Sequence, residues 1–256
     1  MPKIEFRHVR KSFGDKVVLR DMNLSVETGE TLSVIGRSGS GKSVMLKLMV
    51  GLINPDSGSV LVDGEDITRM SERELFRIRG KFGFLFQGAA LLDSLTVGEN
   101  VGLALAERSD AAPEEIRRVV WEKLGMVGME GIEHQMPADL SGGMKKRVGL
   151  ARAVAMNPEI VLYDEPTTGL DPIMADAINE LIIRLRERLS ITSVVVTHDI
   201  TSVRKVADRV AMLYDGCIIF TGTVAELEGV DDPIVRQFVE GRADGPIRPV
   251  AAEYGI

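Results

Sequence analysis

The chain has 256 residues, of which 45% are hydrophobic and 27% charged, an ordinary globular composition that is long enough to bury a sizeable core. The formal net charge of −7 argues against a nucleic-acid partner, because phosphate backbones favour a basic protein face. The single cysteine, Cys217, excludes an intramolecular disulfide and fits a reducing compartment. No stretch approaches the roughly 20 apolar residues that span a bilayer, and the charged N-terminus does not resemble a secretory signal. We therefore expect a soluble, cytoplasmic chain, for which any membrane role must come through partner proteins.

The first third of the chain predicts short strands separated by turns. Alternating apolar residues indicate strands at Ile4–Val9 and Val17–Val26, and a third strand, Thr31–Ile35, precedes a glycine-rich loop. Ser71 and Glu74 have the spacing of a helix capping box. The other predicted elements of this part are a helix at Lys42–Val50, a strand at Ser59–Val62 with a tight turn at Asp63–Gly64, a helix at Ser71–Arg79 and a buried strand at Phe82–Phe86.

The pattern changes to helices between Gly88 and Met156, and we interpret this segment as a helical insertion. Its predicted helices are Thr96–Glu107, Pro113–Leu124 and one that Ser141 caps and that runs to Met156. Strands and helices then alternate, with strands at Ile160–Tyr163, Ile191–Val196 and Val210–Tyr214, and helices after Pro172 and near Ile200–Ala207. This order predicts an α/β fold with a mostly parallel core sheet, an N-terminal antiparallel β part and an inserted helical subdomain.

A phosphate-loop pattern, G-x-x-x-x-G-K-[ST], lies between the strand Thr31–Ile35 and the helix that follows it. It comprises Gly36, Arg37, Ser38, Gly39, Ser40, Gly41, Lys42 and Ser43, with Val44 next in the helix. Glycines let backbone N–H groups turn toward phosphate oxygens, and the helix N-terminus adds the positive end of its dipole. We expect Lys42 to reach the terminal phosphates and Ser43 to ligate Mg²⁺. The motif therefore predicts a nucleotide site.

Two carboxylates, Asp164 and Glu165, end the apolar strand Ile160–Tyr163. This is the edge at which ligands bind in open α/β sheets. Beside a phosphate loop, Asp164 is expected to hold Mg²⁺ through water, and Glu165 to orient and polarise the attacking water. These two motifs by themselves are compatible with four classes of protein: a kinase, a GTPase, a helicase and a transporter ATPase.

The segment Leu140-Ser141-Gly142-Gly143 resembles the signature sequence of ABC ATPases, which normally reads Leu-Ser-Gly-Gly-Gln. A basic helical segment, Lys145–Ala153, follows it as in that family. The resemblance implies the P-loop NTPase fold of the ABC ATPases, with ATP and Mg²⁺ as cofactors. Met144 replaces the usual glutamine, but activity is expected to survive because the phosphate-facing atoms come from Ser141 and Gly143.

Further positions resemble functional residues of the same family. Phe13 resembles the aromatic residue that stacks on adenine, and Gln87 the glutamine that senses Mg²⁺ and the attacking water. Asp171, in Gly169-Leu170-Asp171, resembles the D-loop residue, and His198 the histidine that contacts the γ-phosphate. The resemblance thus implies catalytic roles for Lys42, Gln87, Glu165 and His198, and metal ligation by Ser43, Gln87 and Asp164.

The resemblance, which extends from Ile4 to about Glu240, also implies an assembly. Two subunits form a head-to-tail homodimer in which Ser141, Gly142 and Gly143 of one face the ATP held by the other. ATP binding closes the dimer and hydrolysis reopens it, and a groove near Gln87 passes this motion to two integral-membrane permease subunits. The implied division is a single ATPase domain over residues 1–240 with a tail at 241–256. Within that domain the core covers about 1–87 and 157–230, and the helical subdomain about 88–156.

One branch of the family is more similar than the rest. The segment Phe86–Val101, the residue Met144 and the C-terminal segment Val235–Pro246 resemble ATPases of lipid-transport systems, including the bacterial maintenance-of-lipid-asymmetry system. This implies phospholipid transport at the cytoplasmic face of the inner membrane, with an MCE-type periplasmic lipid-binding protein and a small STAS-domain protein in the complex. The alternatives are an importer of a small polar solute, a non-transport ABC ATPase of DNA repair or translation, and a scaffold with an inactive nucleotide site.

Two surface segments carry further expectations. Leu91, Leu92 and Leu95 follow Gln87 in a loop-like segment, and we expect some of them to line the groove for a permease helix. The tail 242–256 is rich in proline and glycine yet carries Ile247, Val250, Tyr254 and Ile256. We expect it to dock on another chain, most simply across the homodimer, and its removal to leave the thermal stability of the monomer almost unchanged.

Overall fold

A computed structural model describes residues 1–248 of the chain. The strands are β1 Ile4–Phe13, β2 Lys16–Val26, β3 Thr31–Ile35, β4 Ser57–Val62, β5 Glu65–Asp66, β6 Phe82–Leu85, β7 Ile160–Asp164, β8 Thr192–Thr197, β9 Arg209–Tyr214 and β10 Cys217–Gly222. The helices are α1 Lys42–Met49, α2 Glu72–Arg79, α3 Val97–Arg108, α4 Pro113–Met126, α5 Gly142–Ala153, α6 Pro172–Leu189, α7 Ile200–Val206, α8 Val224–Glu228 and α9 Pro233–Glu240. None of these helices has the length and apolar character that a bilayer crossing needs.

The strands form an antiparallel sheet and a mostly parallel one, which confirms the predicted fold class. The antiparallel sheet has the order β2-β1-β4-β5, and the second sheet has the order β10-β9-β3-β8-β7-β6. In the second sheet only β10 runs antiparallel to its neighbour. The carboxyl ends of β3, β8, β7 and β6 are therefore consecutive along one edge. The loops that leave these four strands carry the phosphate loop, His198, Glu165 and Gln87, so the strand order brings four distant motifs together.

Helices α3, α4 and α5 pack on one another between β6 and β7 in the sequence, where the helical insertion was predicted. Their shared core includes the buried residues Val101, Val120, Leu124 and Val148. Helix α3 approaches α4 closely at Gly102, where an added Cβ would lie 3.0 Å from Cγ2 of Ile116. The ends of the predicted helices lie within three residues of the observed ends. The capping box predicted at Ser71 is formed, and a second one, which was not predicted, is formed at Thr96.

The hairpin β9–β10 was not anticipated in the sequence. Strand β10 has half-buried residues on both faces, so the period-two pattern that identifies a strand is missing there. Asp215 and Gly216 connect the two strands with φ values of 45° and 76°. Such an Asp-Gly pair at positive φ is the strongest short-range hairpin signal, and it would have identified the strand.

The C-terminal segment that follows α9 packs on its own chain. Ile247 is only 8% exposed and belongs to the cluster that includes Val203, Leu227 and Val235. The side chain of Gln237 in α9 holds the segment, because its Oε1 accepts from the Ile247 N–H at 2.6 Å and its Nε2 donates to the Ile247 carbonyl at 3.0 Å. The expectation that this tail docks on another chain is therefore wrong for Ile247. The expected contacts of Val250, Tyr254 and Ile256 lie outside the described residues.

Replacing Gln237 by alanine is expected to lower the free energy of unfolding by about 1–3 kcal/mol, because the amide group satisfies buried backbone atoms of the segment. The melting temperature should fall by several degrees in a thermal unfolding experiment. The control is Arg236→Ala, one residue earlier in α9, whose side chain is largely exposed. Equal melting temperatures for the two variants would contradict the role of Gln237.

Candidate functional site

The glycine-rich loop between β3 and α1 can form only with glycine at two of its positions. Gly36 has φ 153°, and a Cβ there would lie 2.4 Å from the carbonyl oxygen of Leu213 on β9. Gly41, at the N-cap of α1, has φ 107°, and a Cβ there would lie 2.9 Å from Cγ1 of Val18 on β2. The loop is thus pressed between the two sheets. Its conformation leaves the N-terminus of α1, with its unpaired N–H groups, at the carboxyl edge of the main sheet.

Lys42 begins α1 and is nearly buried, with 6% of its surface exposed. Its ammonium group donates to the carbonyl oxygens of Gly36 at 2.7 Å and of Arg37 at 3.0 Å, and lies 3.9 Å from a carboxylate oxygen of Glu165. Burial lowers the pKa of Lys42, although Glu165 and Asp164 oppose this shift. A cation removed from water at the start of a helix attracts an anionic ligand.

Ser43 and Asp164 form an oxygen pair next to Lys42. The Ser43 hydroxyl donates to Oδ1 of Asp164 at 3.3 Å, across the gap between α1 and the end of β7. Burial raises the pKa of Asp164, and the hydrogen bond from Ser43 opposes the shift. A hydroxyl and a carboxylate are hard oxygen donors of the kind that Mg²⁺ prefers. The two residues therefore fit a magnesium ion chemically.

Glu165 follows β7 with a backbone φ of 50°, an unfavourable conformation for a residue with a side chain, of the kind that is concentrated at functional sites. Its Oε2 lies 2.9 Å from Nδ1 of His198 and accepts from the hydroxyls of Thr168 at 3.1 Å and Thr197 at 3.4 Å. The carboxylate is thus oriented by three side chains. Thr168 and Thr197 were not predicted from the sequence, because nothing in their spacing distinguishes them from ordinary loop and strand threonines.

The predicted nucleotide residues line one cleft of about 600 Å³, within the range of small-ligand sites. The cleft brings together Phe13, Arg37, Ser38, Gly39, Gly41, Lys42, Ser43, Val44, Gln87, Asp164, Glu165 and His198. Gly36 and Ser40 belong to the loop but do not line the cleft. Phe13 is half-exposed at its mouth, as a stacking residue must be. Lys16, Val18 and Phe238 also line the cleft and were not predicted.

Four predicted site residues lie elsewhere, namely Ser141, Gly142, Gly143 and Asp171. Ser141 caps α5 by accepting from the Met144 N–H at 3.3 Å, and Asp171 caps α6 in the same way. The two helix starts contact each other, because a Cβ on Gly143 would lie 2.5 Å from Cε of Met174 in α6. These residues therefore form a second surface that does not reach the cleft of their own chain.

Comparisons with known proteins agree with this geometry. The ABC transporter family model matches residues 19–168. The intermembrane phospholipid transport system ATP-binding protein MlaF of Haemophilus influenzae is 41% identical, over 96% of this chain and 93% of that protein. The probable ribonucleotide transport ATP-binding protein mkl of Mycobacterium leprae is 42% identical, over 95% of this chain and 70% of that protein.

The fold itself matches solved ATP-binding cassettes. One was solved as a dimer in a post-hydrolysis state bound to ADP and Pi. It superposes with a TM-score of 0.79 at 37% identity, covering 86% of this chain and 98% of that chain.

Proposed function

Because this chain belongs to the ABC transporter family of ATP-binding proteins, we propose that it is the ATP-hydrolysing subunit of a transporter that moves phospholipid between membranes. The observation that supports hydrolysis best is the carboxylate of Glu165. Three side chains orient it, and it lies 3.9 Å from the phosphate-loop lysine, Lys42. A carboxylate so placed can orient the water that attacks the terminal phosphate and accept its proton.

The remaining cleft residues bind and position the nucleotide. Phe13 stacks on adenine, and Lys42 with the loop N–H groups from Arg37 to Val44 holds the phosphates. Ser43, Asp164 and Gln87 would hold Mg²⁺, which would supply positive charge next to the phosphate oxygens. His198 keeps Glu165 oriented and contacts the γ-phosphate. The second surface, with Ser141, Gly142, Gly143 and Asp171, completes the site of a partner copy in a head-to-tail homodimer.

Two relatives of nearly equal identity have names that indicate different cargoes. We choose between the two cargoes by the share of each relative's length that this chain matches. The phospholipid transport protein is matched over 93% of its length, whereas the ribonucleotide transport protein is matched over 70%. We therefore favour phospholipid. The subunit then works at the cytoplasmic face of the inner membrane beneath two permeases, with an MCE-type lipid-binding protein and a STAS-domain protein in the complex. Residues 88–156 form a helical subdomain of a single ATPase domain whose core covers about 1–87 and 157–230.

Isolation of the intact complex from membranes tests this function. We expect an affinity-tagged chain to copurify with integral-membrane subunits and with phospholipid detectable by mass spectrometry, and to hydrolyse ATP. A complex that hydrolyses ATP but contains no phospholipid, and whose turnover responds to a small polar solute, would favour the importer. A chain without ATPase activity in any complex would overturn the proposal.

The loop after Gln87 presents a candidate permease contact. Asn100, fully buried in α3, holds this loop by accepting from the Leu92 N–H at 2.8 Å and donating to the carbonyls of Leu92, Leu95 and Thr96. Leu91 packs into the helical core, whereas Leu92 is 45% exposed. Leu95 is half-buried, so Leu92 is the most exposed of the three leucines of the loop.

Replacing Leu92 by glutamate is expected to release the subunit from its permease while leaving it folded, because the side chain is exposed and a charge there must be desolvated on docking. Copurification measures release, and thermal unfolding measures folding. Trp121→Glu serves as the control, since Trp121 is also exposed but lies on α4. Unfolding of the Leu92 variant, or retention of its permease, would contradict the contact.

A further inference from the structure

A buried lysine, Lys146, connects the helix that Ser141 caps to the hydrolytic edge of the sheet. It lies in α5 and is 5% exposed. Its ammonium group donates to the backbone carbonyl of Gln87, after β6, and to the backbone carbonyl of Glu165, after β7, at 3.2 Å. Gln87 is assigned to Mg²⁺ binding, and Glu165 to orienting the attacking water and accepting its proton. One side chain thus holds the main chain of both.

The burial of this lysine calls for an explanation, because lysine is rarely buried without a paired charge and desolvation is costly. Burial lowers the pKa of Lys146, although Asp164 and Glu165 oppose the shift. The neighbouring Lys145 is more exposed, so the burial of Lys146 is specific to its position on α5. The two carbonyls that accept from the ammonium group follow different strands, β6 and β7, and Glu165 has the unfavourable φ of 50°. The hydrogen bonds therefore help to fix a strained catalytic main chain.

Helix α5 joins this contact to the surface that faces the partner copy. The Lys145 N–H donates to the carbonyl of Ser141 at 2.9 Å, so the N-cap and Lys146 are separated by little more than one hydrogen-bonded turn. A displacement of the N-terminus of a helix moves the next turn with it, because backbone hydrogen bonds connect successive turns. A phosphate bound at Ser141 would therefore act on the position of the Lys146 ammonium.

We propose that Lys146 is a positioning residue that links the Ser141 turn to Gln87 and Glu165 of the same subunit, so that the nucleotide bound by one copy adjusts hydrolysis in the other. The proposal rests on the function proposed above, since it requires a homodimer with shared sites. Lys146 does not touch the nucleotide. It acts through the backbone of the two residues that face the cleft.

Two substitutions of similar size separate positioning from packing. Lys146→Met keeps an unbranched apolar side chain but removes the donor, and Lys146→Gln keeps an N–H₂ group with two donors on a side chain that is one atom shorter. The control is Lys123→Met, because Lys123 is also buried in the helical insertion but donates to Asn157, away from the cleft. The measurements are kcat, KM for ATP and the Hill coefficient of the intact complex, together with its melting temperature.

For Lys146→Met we expect kcat to fall about 10- to 100-fold, the scale of a displaced catalytic group. KM should change less than about twofold, since the phosphate loop is intact, and the Hill coefficient should move toward one. Lys146→Gln should recover most of kcat, and Lys123→Met should lower the melting temperature without lowering kcat. A Lys146→Met variant with normal kcat and Hill coefficient would overturn the inference while leaving the proposed function standing. An inactive wild-type complex would instead overturn the function.

If Lys146→Met does not fold, a double-mutant cycle takes its place. Lys146→Ala, which also removes the ammonium group, is combined with Ser141→Ala, and kcat is measured for each single variant and for the pair. A link from the Ser141 turn to the cleft through Lys146 predicts non-additive effects on the logarithm of kcat. Additive effects would overturn the proposal.

Discussion

Glu165→Gln is expected to slow ATP hydrolysis at least about a hundredfold, the contribution of a positioned general base, while leaving Mg-ATP binding intact. The amide keeps the shape of the carboxylate and the donor contacts of Thr168 and Thr197, but it cannot accept the proton of the attacking water. Because the γ-phosphate persists, the dimer should remain closed. Phosphate release measures turnover, and gel filtration with ATP measures closure.

The matched control for this experiment is Glu159→Gln. Glu159 immediately precedes β7, at the end opposite Glu165, and pairs with Lys3 away from the cleft. The same chemical change there should leave turnover within about twofold of wild type, the scale expected for a surface substitution. A Glu165→Gln variant with near-normal turnover would remove this carboxylate from the mechanism.

Ser141→Arg is expected to abolish hydrolysis while the isolated subunit still binds nucleotide. The reason is geometric: Ser141 lies outside the cleft of its own chain, so a large cation there obstructs only the ATP that a partner copy presents. Binding of a fluorescent ATP analogue to dilute monomer measures the first site, and phosphate release at high protein concentration measures the shared site.

The arginine also removes an N-cap, which is expected to cost about 1 kcal/mol of stability, so a second cap serves as control. Ser71 caps α2 and accepts from the Glu74 N–H as Ser141 accepts from the Met144 N–H. Ser71→Arg should cost similar stability but leave hydrolysis in place. Loss of nucleotide binding by the Ser141→Arg monomer would show that the signature turn serves its own cleft, contrary to the trans arrangement.

The local chemistry of this protein could be inferred from the sequence because each motif is contiguous. The phosphate loop is recognisable from its glycine spacing, and the lysine and serine that follow it lie at fixed positions of one helix turn. The clashes with Leu213 and Val18 that require glycine at Gly36 and Gly41 are instead set by the tertiary structure. The carboxylates Asp164 and Glu165 end an apolar strand, a pattern that is visible without knowledge of the neighbouring strands. The capping boxes at Ser71 and Thr96 are equally local, and both are formed.

Contacts between distant residues could not be derived from spacing, and only the family resemblance led us to expect that Gln87, Glu165 and His198 share one site. The order β3-β8-β7-β6 decides that His198, Glu165 and Gln87 face one cleft, and this order depends on the packing of the whole sheet. The orientation of Glu165 by Thr168 and Thr197 follows from the same packing. In the sequence, Gln237 resembles a surface residue of a short helix, whereas in the structure its side chain accepts a hydrogen bond from the Ile247 N–H. The sequence by itself determined which chemical groups this protein carries and the local turns that hold them. Only the tertiary structure decided which backbone atoms the Gln237 amide and the Lys146 ammonium group bind. The reason is that an unpaired polar group is costly once buried, so its partners come from whatever the fold places beside it.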